Sequence, residues 1–558
     1  MSVKKYGIYL AFPPTVDIRA EGLGRYLAAF LKASQKEHDA HFLIGCPSWS
    51  RDSLILLCKG EGIDFTNLEF LSPRGTPALL RLFYLLRYFR PSKARHAIHL
   101  LRNLFRYKQK NEAPEPGLTV LKWIISSPSL LAFVVLALLG LLASPLIVTV
   151  VLIAFGIKLV TTAMPYIQAE WKKSKNVARF KVKMAYLLRN AKNYDVALFF
   201  YSIIQEEQSK KLVALINKRT DISAWYAPAA FWNEFGRIKA PKLMCVPDIV
   251  LKDFPVGFAQ IGGNRFSDSY KKIEKAVLSV DYLVTYSEHI KLENIIKHYP
   301  KNPASIFVVP HAPNTLGQWL PVNSDDLATK KNSKELRTLL ASALTKSLDP
   351  AYLQGASPDF SFLFYASQIR PNKNVMTLLR AYEYLLRHNY MPQKLIMTGN
   401  PHSLPAVARF IQEHQLQKDV LFLHGLSTAQ LATCYAMADL AVNPSLSEGG
   451  CPFTFTEALS VGTPAIMARI PVALEVLHDE TLKETTFFDP YDWKDMAKRI
   501  LWALDNRETL LSIQKPVYEK LTQRTWQDVV NDHIGILEKI ANQNADQTED
   551  TLSESKSS

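Results

Sequence analysis

The stretch 443–466, NPSLSEGGCPFTFTEALSVGTPAI, is where the reading of this chain turns. It reads as a loop from Asn443 to Gly449 that enters a short helix and stops at Gly462 and Pro464. Gly449 and Gly450 permit backbone conformations and close ligand approach that a Cβ forbids. The amides that follow open a helix, where unpaired N–H groups and the peptide dipole favour an anion such as phosphate. Glu448 stands before the turn and Glu457 on the helix it opens. A carboxylate accepts hydrogen bonds from sugar or ribose hydroxyls while neighbouring amides hold a phosphate. As a loose pair, the two glutamates would be a helix cap and a solvated helical residue. The whole string suits a sugar nucleotide.

Outward from it, the C-terminal half alternates strands and helices. FSFLFYASQIRPNKNVMTLLRAYEYLL reads as a strand ending at Ala366, a loop carrying Arg370 and Lys373, and a helix from about Val375. Two cations at the carboxyl end of a parallel strand sit where an α/β fold binds ligands. Arginine offers a fork for phosphate oxygens and lysine a point charge. KLIMTGN, VLFLHGL and the segment from Ala438 supply further strands. An amphipathic helix spans about Trp493 to Leu504, and the helices through Trp526 to Ile540 are expected to cross back to the first domain. The polar residues 542–558 read as a disordered tail.

The N-terminal half has the same rhythm. KKYGIYLAFPP is a buried strand, Gly22-Leu23-Gly24 a turn, and a helix follows from about Arg25. Such a turn presents amides to an anion, though an ordinary tight turn has the same look. DAHFLIGCP, DFTNLEFL, NYDVALFFYSII, KLMCVPDIVLKDFP, DYLVTYSEHI and SIFVVPHAPNT read as further strands. The resulting division is 1–73 with 193–320 as one domain, 321–358 as a partly helical linker with an inserted helix, 359–505 as the second domain, and 506–541 as terminal helices.

Residues 74–192 break this rhythm. From 124 to 163 a single charge, Lys158, interrupts an apolar run divided at Ser144-Pro145. A bilayer span takes roughly 20 apolar residues, so a two-helix hairpin is expected; a re-entrant hairpin and a buried helical pair are the alternatives. Basic, acid-free blocks flank it at 81–110 and 172–192. Basic flanks on both sides place both ends in the cytoplasm, and their interleaved aromatics suit an anionic lipid surface. The formal net charge of the chain is +15. Five scattered cysteines without metal-ligand spacing fit a reducing compartment.

Residues 443–466 resemble the donor-binding motif of the family 4 retaining glycosyltransferases: a serine-rich loop, Glu, a glycine turn, Glu-Ala and Val-Gly-Thr-Pro. The family usually places seven residues between the glutamates; here there are eight, Gly449 to Thr456. Lys373 aligns with the family's diphosphate lysine, while Ser367-Gln368 replaces the usual Gly-Arg, so that Arg370 substitutes. Pro247-Asp248 lacks the family's histidine, and Pro310-His311-Ala312-Pro313-Asn314 is an altered exit strand.

The resemblance implies an α/β GT-B fold, two Rossmann-like domains facing a cleft, with the transmembrane hairpin inserted in the first. It implies a retaining sugar transfer from a GDP- or UDP-sugar, without metal or other cofactor and with no nucleic-acid partner. Glu448, Arg370 and Lys373 would be catalytic. Arg370, Lys373, Gly449, Gly450, Cys451 and Glu457 would hold the donor, and Gly22, Gly24, Asp248 and His311 would border the cleft. With the hairpin, it suggests a glycan or lipid-linked acceptor at the cytoplasmic membrane. Loops 367–374 suggest mannosyl transfer. Two competing readings are a non-catalytic nucleotide-sugar-binding scaffold and a membrane-associated nucleic-acid-binding protein.

Overall fold

The computed structural model describes residues 4–14, 16–20, 22–35, 40–81, 196–262, 264–322, 324, 326–347 and 360–557. The expected hairpin at 124–163, and the basic blocks apart from Arg81, lie outside these residues. Among the described residues no helix is long and apolar enough to cross a membrane.

Thirteen strands form two parallel sheets among the described residues. The first holds β1 (Lys4–Tyr9), β2 (Ala40–Gly45), β3 (Leu68–Leu71), β4 (Ala224–Ala227), β5 (Lys242–Cys245), β6 (Tyr282–Thr285) and β7 (Ile306–Val308). Their order is β3-β2-β1-β4-β5-β6-β7. The second holds β8 (Phe362–Tyr365), β9 (Lys394–Thr398), β10 (Val420–Leu423), β11 (Leu440–Asn443), β12 (Ala465–Ala468) and β13 (Phe487–Phe488), in the order β10-β9-β8-β11-β12-β13. Both sheets reverse direction beside their own first strand, the place where open α/β sheets receive ligands. The short apolar runs make sense as strands covered on both faces: all four residues of β4, β8 and β11 are buried.

One close approach anchors the first sheet. The indole of Trp225 lies against Gly7 in the neighbouring strand, where an added Cβ would fall 2.2 Å from the ring. Only glycine leaves that space.

Two sequence expectations need correction. NYDVALFFYSII does not form a strand. It opens α2 (Val196–Ile216), which follows α1 (Gly22–Ser34) in chain order among the helices discussed here. No glycine or proline separates that apolar run from QSKKLVALI, so the helix continues through both. The vacant place beside β1 goes to β4, with Gly7 opposite Trp225. The partly helical linker expected at 321–358 carries two helices among its described residues. Asp326 and Ser333 cap α3 (Leu327–Asn332) and α4 (Lys334–Leu344), and Leu336, Leu340 and Leu344 enter the second core. Finally, 542–557 are helical, as the end of α8 (Trp526–Ser557), rather than disordered. The segment contains no glycine or proline to stop the helix.

The chain crosses between the two units at its end. Helix α7 (Arg507–Thr522) buries Leu510 and Gln514 in the second unit. Val529, Val530, Leu537 and Ile540 of α8 are fully buried in the first core. At the crossing Arg524 Nε donates to the Pro310 carbonyl at 2.9 Å.

Candidate active site

The site lies where the loops after β8 and β11 meet, at the reversal point of the second sheet. After β8 the chain makes a single turn at Pro371–Lys373, and Asn374 follows in the left-handed region, φ 51°. An asparagine accepts that conformation because its side chain bonds locally. Here Asn374 Nδ2 donates to the Pro490 carbonyl at 2.8 Å, and its Oδ1 accepts from Thr377 Oγ1 at 2.6 Å. Helix α5 (Val375–His388) starts immediately afterwards. The Leu446 amide donates to the Asn372 carbonyl at 2.8 Å, joining the two loops.

That join sets the central pair. Lys373 Nζ lies 2.8 Å from Glu448 Oε1, with the two side chains 19% and 22% exposed. Burial pulls the lysine pKa down, but Glu448, Tyr365 and Asp248 together more than compensate, and the group stays above its ordinary value. Asp248, on the opposing domain after β5, responds to the same charges. Burial pushes its carboxyl up to about 6, against the pull of Lys373 and with repulsion from Glu448. Arg370 is exposed and donates to Gln368 Oε1 at 2.5 Å, so Gln368 tethers the residue expected to replace the motif's usual arginine.

Gly449 and Gly450 serve a different purpose from the one their sequence suggests. Neither has a positive φ. A Cβ on Gly449 would fall 2.1 Å from the Pro247 carbonyl oxygen, and one on Gly450 2.7 Å from Tyr286 Cβ. The glycines therefore admit the first domain, not only a ligand. Ser287 Oγ donates to the Gly449 carbonyl at 3.2 Å. Close by, the Glu475 carboxylate accepts from the Glu288 and His289 amides at 2.8 and 3.0 Å.

Glu457 sits on α6 (Phe453–Leu459) and is buried rather than solvated, with 4% exposure. Burial raises its pKa, while Arg25, Asn314 and Tyr435 oppose the rise. Arg25 Nη1 and Asn314 Nδ2 reach Glu457 Oε1 at 3.4 and 3.3 Å. The motif's glutamates thus face separate partners, Lys373 for one and Arg25 with Asn314 for the other.

The remaining expected residues fall around these clusters. Gly22 and Gly24 belong to the first turn of α1, one helical turn earlier than expected. Gly24 packs on Ile18, whose carbonyl oxygen would lie 1.8 Å from an added Cβ. Cys451 and His311 line a 330 Å³ cavity between the domains, with Tyr286, Glu475, Lys520 and Arg524. Burial pushes the Cys451 thiol up to about 12 and the His311 imidazole down to about 3, so both are neutral near pH 7. His311 lies against Tyr286, with ring centroids 3.6 Å apart.

Sequence reasoning missed Arg25, Asn314 and Lys330. Asn314 stood within a recognised exit-strand motif and Arg25 just beyond the glycine turn, so both left a signal. Lys330 left none: a fully buried lysine of the linker donates to the carbonyls of Val461 and Gly462, beyond the end of α6. Its charge meets the negative end of the helix that carries Glu457.

Residues 354–520 match the family model of the glycosyl transferases group 1. The matched segment contains Arg370, Lys373, Glu448 and Glu457. The chain is 29% identical over 181 residues to D-inositol 3-phosphate glycosyltransferase 2 of Catenulispora acidiphila, covering 31% of this chain and 42% of that protein. It is 29% identical over 124 residues to lipopolysaccharide 1,2-N-acetylglucosaminetransferase of Salmonella typhimurium, covering 20% and 31%. It thus spans less than half the length of these curated relatives. Among solved structures, TarM superposes with a TM-score of 0.51 at 12% identity, covering 96% of this chain and 99% of that one. A glycosyltransferase from Rickettsia africae gives 0.50 at 12% identity, covering 96% and 98%. The fold is GT-B.

Proposed function

We propose that this chain transfers a sugar from a nucleotide-sugar donor to a glycan or lipid-linked acceptor, with retention of anomeric configuration. The observation that carries the reading is the Lys373–Glu448 pair, at 2.8 Å, at the reversal point of the second sheet and within the matched segment. Breaking a glycosyl phosphate bond requires charge to be stabilised on the departing diphosphate. Lys373 has three N–H donors, so it can keep Glu448 while giving the others to phosphate oxygens. Arg370 and the amides after Gly449 would take further charge, an arrangement that does not call for a divalent cation. Glu448 would orient the sugar, and Glu457 would accept the ribose hydroxyls.

The finer features rest on sequence. Loops 367–374 favour a GDP-sugar and mannosyl transfer. The apolar run at 124–163 favours a membrane hairpin that keeps both catalytic domains in the cytoplasm, beside a lipid-linked acceptor. Matched relatives that act on an inositol phosphate and on lipopolysaccharide agree with a polar or glycolipid acceptor. The primary test is calorimetry of the full chain against UDP- and GDP-sugars, followed by product analysis. Binding to neither class would end the reading. Replacing 124–163 with a polar linker tests the membrane part: full transfer to lipid-linked acceptor in membranes would remove that role.

A further inference from the structure

We infer that Arg25 and Asn314, both from the first domain, are positioning residues that set Glu457 for the donor ribose, so that the ribose site is completed only across the cleft. The inference rests on the nucleotide-sugar reading above. Its geometric basis is that both donors reach the same carboxylate oxygen, Oε1, at 3.4 and 3.3 Å. A carboxylate has about four lone-pair sites, so fixing one oxygen leaves acceptor capacity for a ligand.

Both donors have rigid supports. Arg25 follows Gly24, whose close contact with the Ile18 carbonyl fixes the first turn of α1. Asn314 belongs to a loop tied to the motif helix: the Leu316 amide donates to Ser460 Oγ at 2.9 Å, and Ser460 Oγ donates to the Glu457 carbonyl at 2.7 Å. The surroundings also point to a ligand. The Arg25 side chain is 54% exposed while Glu457 is 6% exposed. A simple counter-ion for a buried acid does not need its larger part in solvent.

The test is calorimetry of the full chain with UDP and GDP, then with the 2′,3′-dideoxy form of whichever binds. Wild-type protein should prefer the ribo form about tenfold or more, as expected for hydrogen bonds to a charged group. Arg25→Ala and Asn314→Ala should weaken the ribo form and spare the dideoxy form, shrinking the preference to within about threefold. Arg25→Lys should recover part of it. If Arg25→Ala weakens both forms equally, or keeps the wild-type preference, the inference is overturned. Equal wild-type binding of both forms would remove Glu457 from the ribose, and the inference with it. Binding of neither nucleotide would instead overturn the nucleotide-sugar reading. If circular dichroism shows Arg25→Ala unfolded, Asn314→Ala, which changes no charge, decides the matter by the same ratio.

Discussion

The two walls of the cleft share a winding order but divide the work unequally. The second unit concentrates its polar chemistry in two loops at the reversal point, where Lys373 meets Glu448. The first unit contributes scattered single residues, Arg25, Asp248, Tyr286 and Asn314, each on a different element. Short-range motifs survive as recognisable strings only when neighbouring residues act together. A wall built from isolated residues leaves no string. The difference teaches that a wall whose polar groups share two loops is legible in sequence, while one built of single residues on separate elements is not.

Breaking the second wall should have the largest effect. Lys373→Ala should lower sugar transfer about 10²–10³-fold, the usual result of losing one preorganised charge-stabilising donor, as measured by steady-state turnover. Transfer within a factor of two of wild type would mean that the phosphate is held elsewhere.

Next in size are changes that test how the walls are held. Lys330→Ala removes the cation from the carbonyls beyond α6 and should destabilise the chain by about 1–3 kcal/mol in urea unfolding. Gly450→Ala would force a Cβ toward Tyr286 and should cost about 1–3 kcal/mol as overpacking. Its effect should include a larger radius of gyration by solution scattering, because the strain falls between the domains. Gly7→Ala, against Trp225, should cost a similar amount with no change in domain spacing. Equal spacing in all three proteins would deny that Gly450 sets the approach.

Asp248 sharpens the contrast through pH. Its folded pKa is about 6, above the ordinary aspartate value near 4. Between those values the native state binds more protons than the unfolded state, so stability falls as pH rises through that window. Asp248→Asn should flatten that part of a melting-temperature profile, and an unchanged slope would show that the carboxyl is not held in the cleft as described. The smallest effect is expected far from the cleft. Lys4 and Glu538 pair at 2.6 Å with side chains 58% and 37% exposed. Lys4→Ala should change stability by no more than about 1 kcal/mol, read from the same unfolding curves.

Much of the fold was legible because parallel strands are short, continuous apolar runs bounded by turns, and β1, β2, β8 and β11 fall where such runs occur. NYDVALFFYSII misled because an apolar run of that length fits a buried helix as well as a strand, and periodicity alone does not separate them. The helical character of the linker was legible, but the core partners of Leu336 and Leu340 were not, because they are distant in sequence.

By itself the sequence determined two α/β units, the loop cations and the paired glutamates, since each depends on residues close together in the chain. Only tertiary structure decided that Gly449 and Gly450 receive Pro247 and Tyr286, and that Glu457 faces Arg25 and Asn314. Those contacts join residues more than a hundred positions apart, and no local propensity encodes which distant backbone or cation will stand opposite a given atom.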